Sequence, residues 1–530
     1  MSNVPIIVLR EGTETKRDRE ARTQNIRAMM AITEAVKSTM GPKGMDKMLV
    51  DSLGDVTITN DGAEILDQLD IENVAAIMMV NLAKSVDKEV GDGTTSAVIF
   101  CAKLLENALE LIEQDIHPKP ITQGYKLAAD KSVEILNEIK ETISPDDEKV
   151  LLGAAVTSMN SKDIAAVKEY FAKLALKAVR SVAERNAEGP LFDQIDNIKI
   201  IKAPGKSLKD SELIDGVYID KDKVSSNMPD SLTDVKIAVI RKKLEIHKGE
   251  YDSQIQIKNP EDIQKFLDQE KKTLQGYLEY FKALDVNMVV NSQSISDKFG
   301  AMLGREGIAA IKSLGDKDVE AVLNATGATM IDDLKDLTAE SLGYAKKVKF
   351  EKIGDSDYTL FSGCENPRSV AILLKGGLEK ILNTAEIALH DVISILAKII
   401  DTKTVIAGGG AGWLEIAKHL RAYANEIGGK EQLAVQAFAT ALEEIPRTLI
   451  RNAGLDEIER MTELRAAHKA PEDKWVGIDT ITDTIQNNYE HGIVEPSVLI
   501  KHIVESGSEL ARLILRVDRI INAKGSKESD

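Results

Sequence analysis

The stretch "VGDGTTSAVIF", Val90 to Phe100, sets one carboxylate between two glycines, follows it with two threonines and then turns apolar. Gly91 and Gly93 permit backbone angles that a side chain forbids. Thr94 or Thr95 is expected to cap the helix that runs on through "SAVIFCAKLLENALELI". A helix start offers unpaired N–H groups and the positive end of a dipole, which suits phosphate. Asp92 would repel a phosphate there unless a cation stood between them. It therefore makes sense as a Mg2+ ligand, since hard Mg2+ takes one or two carboxylates and completes its shell with phosphate oxygens. For "GDGTT" taken alone, a helix cap with an Asp-Gly turn is the simpler account.

Three further stretches have the same character. "TMGPKGMDKM" places Gly41 and Gly44 between secondary elements, "TNDGAEIL" places Asp61 just before a helix, and "VIAGGGAG" places three glycines before another. Asp-Gly and Gly-Gly are the commonest turn signals, so each is weak by itself. Four of them in segments that read as one domain are harder to dismiss. In "EIALHDVISIL", Asp391 follows His390 inside an apolar helical pattern, which by pattern alone is a partly exposed helix face.

The familiar phosphate and metal motifs are missing. "APGKS" at 203–207 ends like a P-loop, but the glycine required at 200 is Ile200. "GDGTTS" and "GGGAGW" both fail GxGxxG, and the seven histidines form no HExxH and no ligand cluster. Spacing offers no Ser-His-Asp arrangement. Cys101 and Cys364 give no disulfide framework, which suits a reducing compartment. A net charge of −18 argues against a general nucleic-acid surface. No apolar run approaches the ~20 residues of a membrane span. The N-terminal "VPIIVLREGTETKRDRE" is too short in its apolar part for a signal peptide, so the expectation is a cytoplasmic protein.

These residues need elements to hold them. At 530 residues the chain is too long for one ordinary core, and two to four domains are expected. Met29, Ile32, Val36 and Met40 fall at helical spacing, so residues 20–40 read as a helix that "GPKG" ends. Val56 and Ile58 alternate with threonines after Gly54-Asp55, which predicts a hairpin. Long helical patterns run from Ala63 to about Ile143, and "SPDDEK" is a plausible boundary. From about Asp215 to Gly363, short strand-like runs such as "GVYID", "VKIAVI", "NMVVN" and "KVKFEKI" alternate with helical ones, as in an α/β domain. From Ser369 long helices return. One helical domain built from both chain ends, with the α/β middle inserted, fits this order. In "NPEDIQKFL", Asn259 is placed to cap a helix with Pro260 in its first turn. Ile263, Phe266, Leu267, Leu274, Tyr277, Leu278 and Phe281 form one stripe along it. A core-facing stripe suits the second half, and an apolar contact surface the first.

Taken together, "TMGPKGMDKMLVD", "TNDGAEIL", "GDGTTSAVI", "HPKPITQGY", "LKGG", "HD" and "GGGA", in this order and spacing, resemble the group II chaperonins, the archaeal thermosome and the eukaryotic cytosolic chaperonin. The resemblance runs from about residue 5 to 524, includes "GVYIDKDKV…MP" and the long C-terminal "GIVEPSVLIKHIVESGSELARLILRVDRII", and is nearest to the archaeal subunits. It implies an ATP-dependent molecular chaperone, a subunit of a stacked double ring with about eight copies per ring, identical or paralogous. Unfolded proteins would be the clients, and no separate lid protein, nucleic acid or membrane partner is expected. The implied fold is multi-domain, α and α/β. It has a mostly helical equatorial ATP-binding domain (1–145 and 402–530), an intermediate hinge domain (146–214 and 367–401) and an α/β apical client-binding domain (215–366) with a helical lid protrusion near 249–280.

The resemblance also implies roles for residues. Gly41, Pro42 and Gly44 would line the phosphates of ATP, Asp92 would hold Mg2+, and Gly93, Thr94, Thr95 and Ser96 would contact phosphate oxygens. Asp61 and Asp391 would flank the γ-phosphate and position or activate the attacking water. Lys162 would sense the γ-phosphate, Gly409 and Gly410 would approach the sugar and base, and Asp479 and Glu495 would close over the adenosine. Three positions depart from the family pattern: Gly412-Trp413 stand where a Glu is common, Asp483 where a glycine is usual, and "EIALHD" lacks an Arg. A binding scaffold or holdase on the same fold without ATPase activity is the alternative, and the acidic identity of Asp61, Asp92 and Asp391 discriminates against it. A small-molecule kinase would need a second-substrate motif, and the sequence offers none.

Overall fold

The computed structural model describes residues 15–162, 164, 167–185, 189–205, 207–214, 216–245, 260–354, 356–364, 369–517 and 519–521. The chain divides into two compact units, Met1–Ala172 with Ala388–Asp530, and Lys173–Ile387. The boundaries fall inside the helices Lys168–Arg185 and Glu379–Thr402.

The first unit is mainly helical. The pattern expected at 20–40 forms the helix Asp18–Lys37, and the expected hairpin forms from Lys47–Val50 and Val56–Thr59 around Gly54. The helices Val74–Val90, Thr94–Glu113, Pro118–Ile139, Ala411–Ile427, Gly429–Leu442 and Ser497–Leu515 enclose one core. Phe438 anchors it, edge-on to Phe100 at 5.3 Å and to Tyr125 at 5.7 Å between ring centres. Burying each such ring contributes ~1.5–3 kcal/mol. Tyr125 keeps its hydroxyl satisfied by donating to the Leu104 carbonyl at 2.7 Å. Two short strands from opposite parts of the sequence, Thr15–Arg17 and Arg519–Ile521, pair antiparallel.

The second unit is α/β. Its largest sheet runs Ala309–Ile311, Met288–Asn291, Ser231–Ile240, Gly343–Ile353, Ser356–Ser362 and Gly216–Ile219, with Met330–Ile331 beside Ser231–Ile240. The first three strands are parallel and the next joins antiparallel. Each of the four strand-like runs in the middle of the sequence is a strand here.

One expectation is corrected. Helices do not resume directly at Ser369: Val370–Gly376 is a strand, parallel to Ile198–Pro204 and antiparallel to Glu212–Ile214. Its residues "VAILLKG" are buried on both faces, so they show no alternation, and a short apolar run of that kind cannot be told from a helix by period. The helix Pro260–Ala283 is present, with Leu274, Leu278 and Phe281 in the core of this unit. The expected cap Asn259, residues 249–258, and the side chains of Ile263, Phe266 and Leu267 lie outside the described residues. Among the described residues no helix is long and apolar enough to cross a membrane.

Candidate functional site

A cleft in the first unit gathers the glycine turns. Gly93 is the N-cap of the helix Thr94–Glu113, at φ 80, and no side chain caps that helix. The expectation that Thr94 or Thr95 would be the cap is thus corrected: both lie inside the first turn. The left-handed angle at the cap is open to glycine and costly for threonine. Gly410 does the same for the helix Ala411–Ile427, again at φ 80 and without a side-chain cap. Both helix starts therefore keep N–H groups free for an anion.

The carboxylates are held differently. Asp61 caps the short helix Gly62–Asp67, its Oδ1 accepting from the Glu64 N–H at 2.7 Å. Asp92 is no helix cap. Its Oδ1 accepts from Gly93 N–H at 2.5 Å and its Oδ2 from the Ser158 hydroxyl at 3.2 Å. Asp391 lies on the helix Glu379–Thr402 and is buried. Lys162, just past the helix Glu148–Met159, places its Nζ 3.3 Å from Asp391 Oδ2 and 3.8 Å from Asp61 Oδ2. One ammonium thus serves two carboxylates, with Asp92 close enough to feel it.

This imbalance sets the protonation. Burial pushes the Asp391 carboxyl well above the usual range; Lys162 opposes the shift, and Asp92, Asp61 and Asp87 add to it. Burial also raises Asp92, against the Gly93 N–H, Lys162 and Ser158. For Lys162, burial acts to release the proton, but the three aspartates outweigh it and hold the charge. Burial and the nearby Asp92 charge raise Glu495 to about 8. A surplus of negative charge in a low-dielectric cleft is what a divalent cation relieves. Among the described residues no group of three or more His, Cys, Asp or Glu side chains could hold a metal by itself. Asp92 by itself offers the hard carboxylate oxygens that a cation such as Mg2+ takes alongside phosphate oxygens.

On the far side of the cleft, the strand Thr404–Ala407 leads into the glycine turn and pairs with Val494–Pro496, setting Glu495 opposite Ile406. Asp479 ends the strand Val476–Asp479 and accepts from Ile481 N–H at 2.9 Å. The buried Asn488 amide donates to the Gly408 carbonyl at 3.0 Å, and Ile478 N–H donates to the Gly409 carbonyl at 3.0 Å, which ties the glycine turn to that strand.

The cleft, with a cavity volume of about 200 Å3, brings together thirteen residues singled out from sequence: Gly41, Pro42, Asp61, Asp92, Gly93, Thr94, Thr95, Ser96, Lys162, Gly409, Gly410, Asp479 and Glu495. Two others stand apart from its lining. Gly44 closes the turn after Thr39, its N–H donating to the Gly41 carbonyl at 2.9 Å. Asp391 stands behind Lys162. Sequence reasoning missed Thr39, Asn60, Thr157, Ser158, Asn160, Ser161 and Thr480, which also line the cleft. The polar run "TSMNSK" at the end of an apolar helix was the available signal for Thr157 to Ser161.

Two of the three departures can be placed in the structure. Asp483 adopts φ 57, the left-handed angle that makes glycine usual there, and pairs with Arg460 at 3.0 Å. Short polar residues such as Asp tolerate that angle best after glycine. Trp413 is buried, lines the cleft and tilts against Phe100 with 6.1 Å between ring centres.

A family model for the TCP-1/cpn60 chaperonin family matches residues 32–525. Among curated proteins, the thermosome subunit of Pyrococcus horikoshii is 45% identical over 531 residues, covering 100% of this chain and 96% of its own. The thermosome subunit beta of Aeropyrum pernix is 43% identical, covering 98% and 94%. That of Thermoplasma acidophilum is 41% identical, covering 98% and 95%.

Proposed function

Since the chain belongs to the TCP-1/cpn60 chaperonin family, as a group II chaperonin subunit acting as a molecular chaperone, we propose that it hydrolyses ATP in the cleft of its first unit and uses the turnover to enclose unfolded proteins. The contact of one buried Lys162 with both Asp61 and Asp391, beside two uncapped helix starts, carries this reading.

In the proposed site the phosphates lie against Gly41, Pro42 and the helix start at Gly93, with Thr94, Thr95 and Ser96 supplying N–H and hydroxyl donors. Gly44 acts by shaping the turn and makes no contact. Gly409, Gly410, Asp479 and Glu495 surround the sugar and base. Asp92 would hold Mg2+, which when bound neutralises charge on the phosphate oxygens. Lys162 turns from its aspartates to the γ-phosphate, which leaves Asp391 and Asp61 to orient and deprotonate a water in line with the bond to be broken. The water oxygen bonds to the γ-phosphorus as the bond to the β-phosphate oxygen breaks. The water proton passes to a carboxylate, and ADP and phosphate leave.

The nested chain order supports an equatorial part (1–145, 402–530) with an inserted α/β apical part (215–366), and the family resemblance adds an intermediate part (146–214, 367–401) and a lid near 249–280. The names of the relatives, thermosome subunits, support assembly into an oligomeric ring with identical or paralogous copies. The test is phosphate release from ATP by the purified protein, with Mg2+ and with EDTA. Mg2+-dependent release that Asp61→Asn abolishes is the expected result. No release from an intact oligomer would leave a scaffold or holdase in its place.

A further inference from the structure

The stretch Thr157 to Lys162 meets three carboxylates in and behind the cleft, Asp92, Asp61 and Asp391. Ser158 donates to Asp92 Oδ2 at 3.2 Å. The Ser161 carbonyl accepts from the amide of Asn60, the residue before Asp61. Lys162 meets Asp61 and Asp391 at 3.8 and 3.3 Å. Of these contacts, the one from Ser158 is directed at the carboxylate assigned to the metal and at no other.

A carboxylate attached at one oxygen can still turn about its last bond. The Asp92 Oδ1 is tied to the N–H of the adjoining Gly93, a contact that moves with its own backbone. Oδ2 is tied to the end of the helix Glu148–Met159, a separate element. Two donors, one on each oxygen, fix the plane of the group and leave lone pairs on both for a cation. Ser158 itself lines the cleft, so the bond lies where the cation would enter.

We infer that Ser158 is a positioning residue for the metal: its hydroxyl fixes the Asp92 carboxylate so that a divalent cation meets oxygens already aimed, and it ties that carboxylate to the segment that carries Lys162. The inference rests on the proposed reading of Asp92 as the Mg2+ ligand. Partners that orient a metal ligand without touching the metal typically change metal affinity 10–100-fold when removed. Their effect on nucleotide held without metal is small, because no phosphate contact is lost.

The experiment uses the full-length assembled protein and reads equilibrium ADP binding by calorimetry, with EDTA and across a MgCl2 titration, so that turnover is not needed. Ser158→Ala is expected to raise the Mg2+ half-saturation roughly tenfold while leaving metal-free ADP affinity unchanged. Ser158→Thr, which keeps the hydroxyl, is expected to restore the wild-type midpoint. An unchanged Mg2+ midpoint in Ser158→Ala, or equal losses with and without metal, would overturn the inference. Asp92→Asn is the control. If it removes the Mg2+ dependence and Ser158→Ala does not shift it, this inference alone fails. If Asp92→Asn retains the wild-type dependence, the reading of Asp92 fails and takes the inference with it.

Discussion

Asp391, in the proposed mechanism, must be ionised to take a proton, yet it sits where burial and three neighbouring carboxylates resist ionisation and Lys162 alone favours it. Its folded pKa is raised, so the base form is lost on acidification at a higher pH than for a free aspartate. The acid limb of the ATPase profile should therefore lie above the ordinary carboxylate range, and its midpoint belongs to the coupled cluster. Removing a positioned general base costs ~10²–10⁴-fold in rate. Asp391→Ala should lose turnover by that order and keep ATP affinity, since the proposed phosphate and metal contacts come from other residues. Steady-state phosphate release and equilibrium ATP binding, measured side by side, decide it. Near-normal turnover would remove Asp391 from the chemistry, and lost binding would recast it as structural. Glu415 shows the opposite shift. Burial alone would raise it, but hydrogen bonds from His468 at 2.8 Å and Lys418 at 3.0 Å, and their charges, bring it down to about 2. A carboxyl with a depressed folded pKa stabilises fully above its unfolded pKa of 4.5 and loses that contribution as pH falls through about 2. In urea unfolding, the wild type's advantage over Glu415→Gln should be full above pH 4.5 and shrink towards about pH 2. An advantage independent of pH would assign it to packing.

At the scale of elements, the helix Pro260–Ala283 changes how the proposed lid can be tested. Leu274, Leu278 and Phe281 are core residues, and Tyr277 and Phe281 pack on Phe299 at 6.2 and 6.5 Å between ring centres. Deleting 249–280 would strip that core, so the informative deletion is 249–270. It should leave ATPase activity intact and abolish protease protection of the ATP-closed state. Retained protection would place the lid elsewhere. The second half of this helix was legible from its apolar stripe alone, as was the hairpin around Gly54, because local turn and period signals decide them. The strand Val370–Gly376 was not legible, because its order comes from two partners distant in sequence. The site divides the same way. Asp61, Asp92 and the glycine turns carry local signatures. The pairing of Lys162 with Asp391, separated by 229 positions (391 minus 162), leaves none in either stretch. That role came only with the family resemblance, and Ser158 was missed because a single hydroxyl in "TSMNSK" looks like any helix end.

For the whole molecule, the proposed ring has to overcome charge. Each chain carries a net −18, and copies brought together in a ring repel one another. The attraction has to come from surface that a single chain leaves uncovered. The hairpin Lys47–Val50 and Val56–Thr59 offers such surface: Met48 is 66% and Leu53 87% exposed, with Met45, Val50 and Val56 exposed beside them. Exposed apolar groups gathered on one hairpin are candidates for a contact site, and covering them contributes ~25 cal/mol for each Å2 removed from water. Raising salt from ~10 mM to ~150 mM shortens the Debye length from ~30 to ~8 Å, which weakens the repulsion and leaves the apolar term in place. The assembled fraction should therefore rise, or hold, as salt increases over that range. Two rings of about eight 57.9 kDa chains come to roughly 0.9 MDa, and light scattering at micromolar protein and physiological salt should find that mass. Met48→Glu with Leu53→Glu should shift the population to smaller species, while circular dichroism shows the same folded chain. A monomer peak for the wild type at physiological salt would overturn the ring. A ring that dissociates as salt rises would show that charge pairs hold it and that the hairpin is not the main contact.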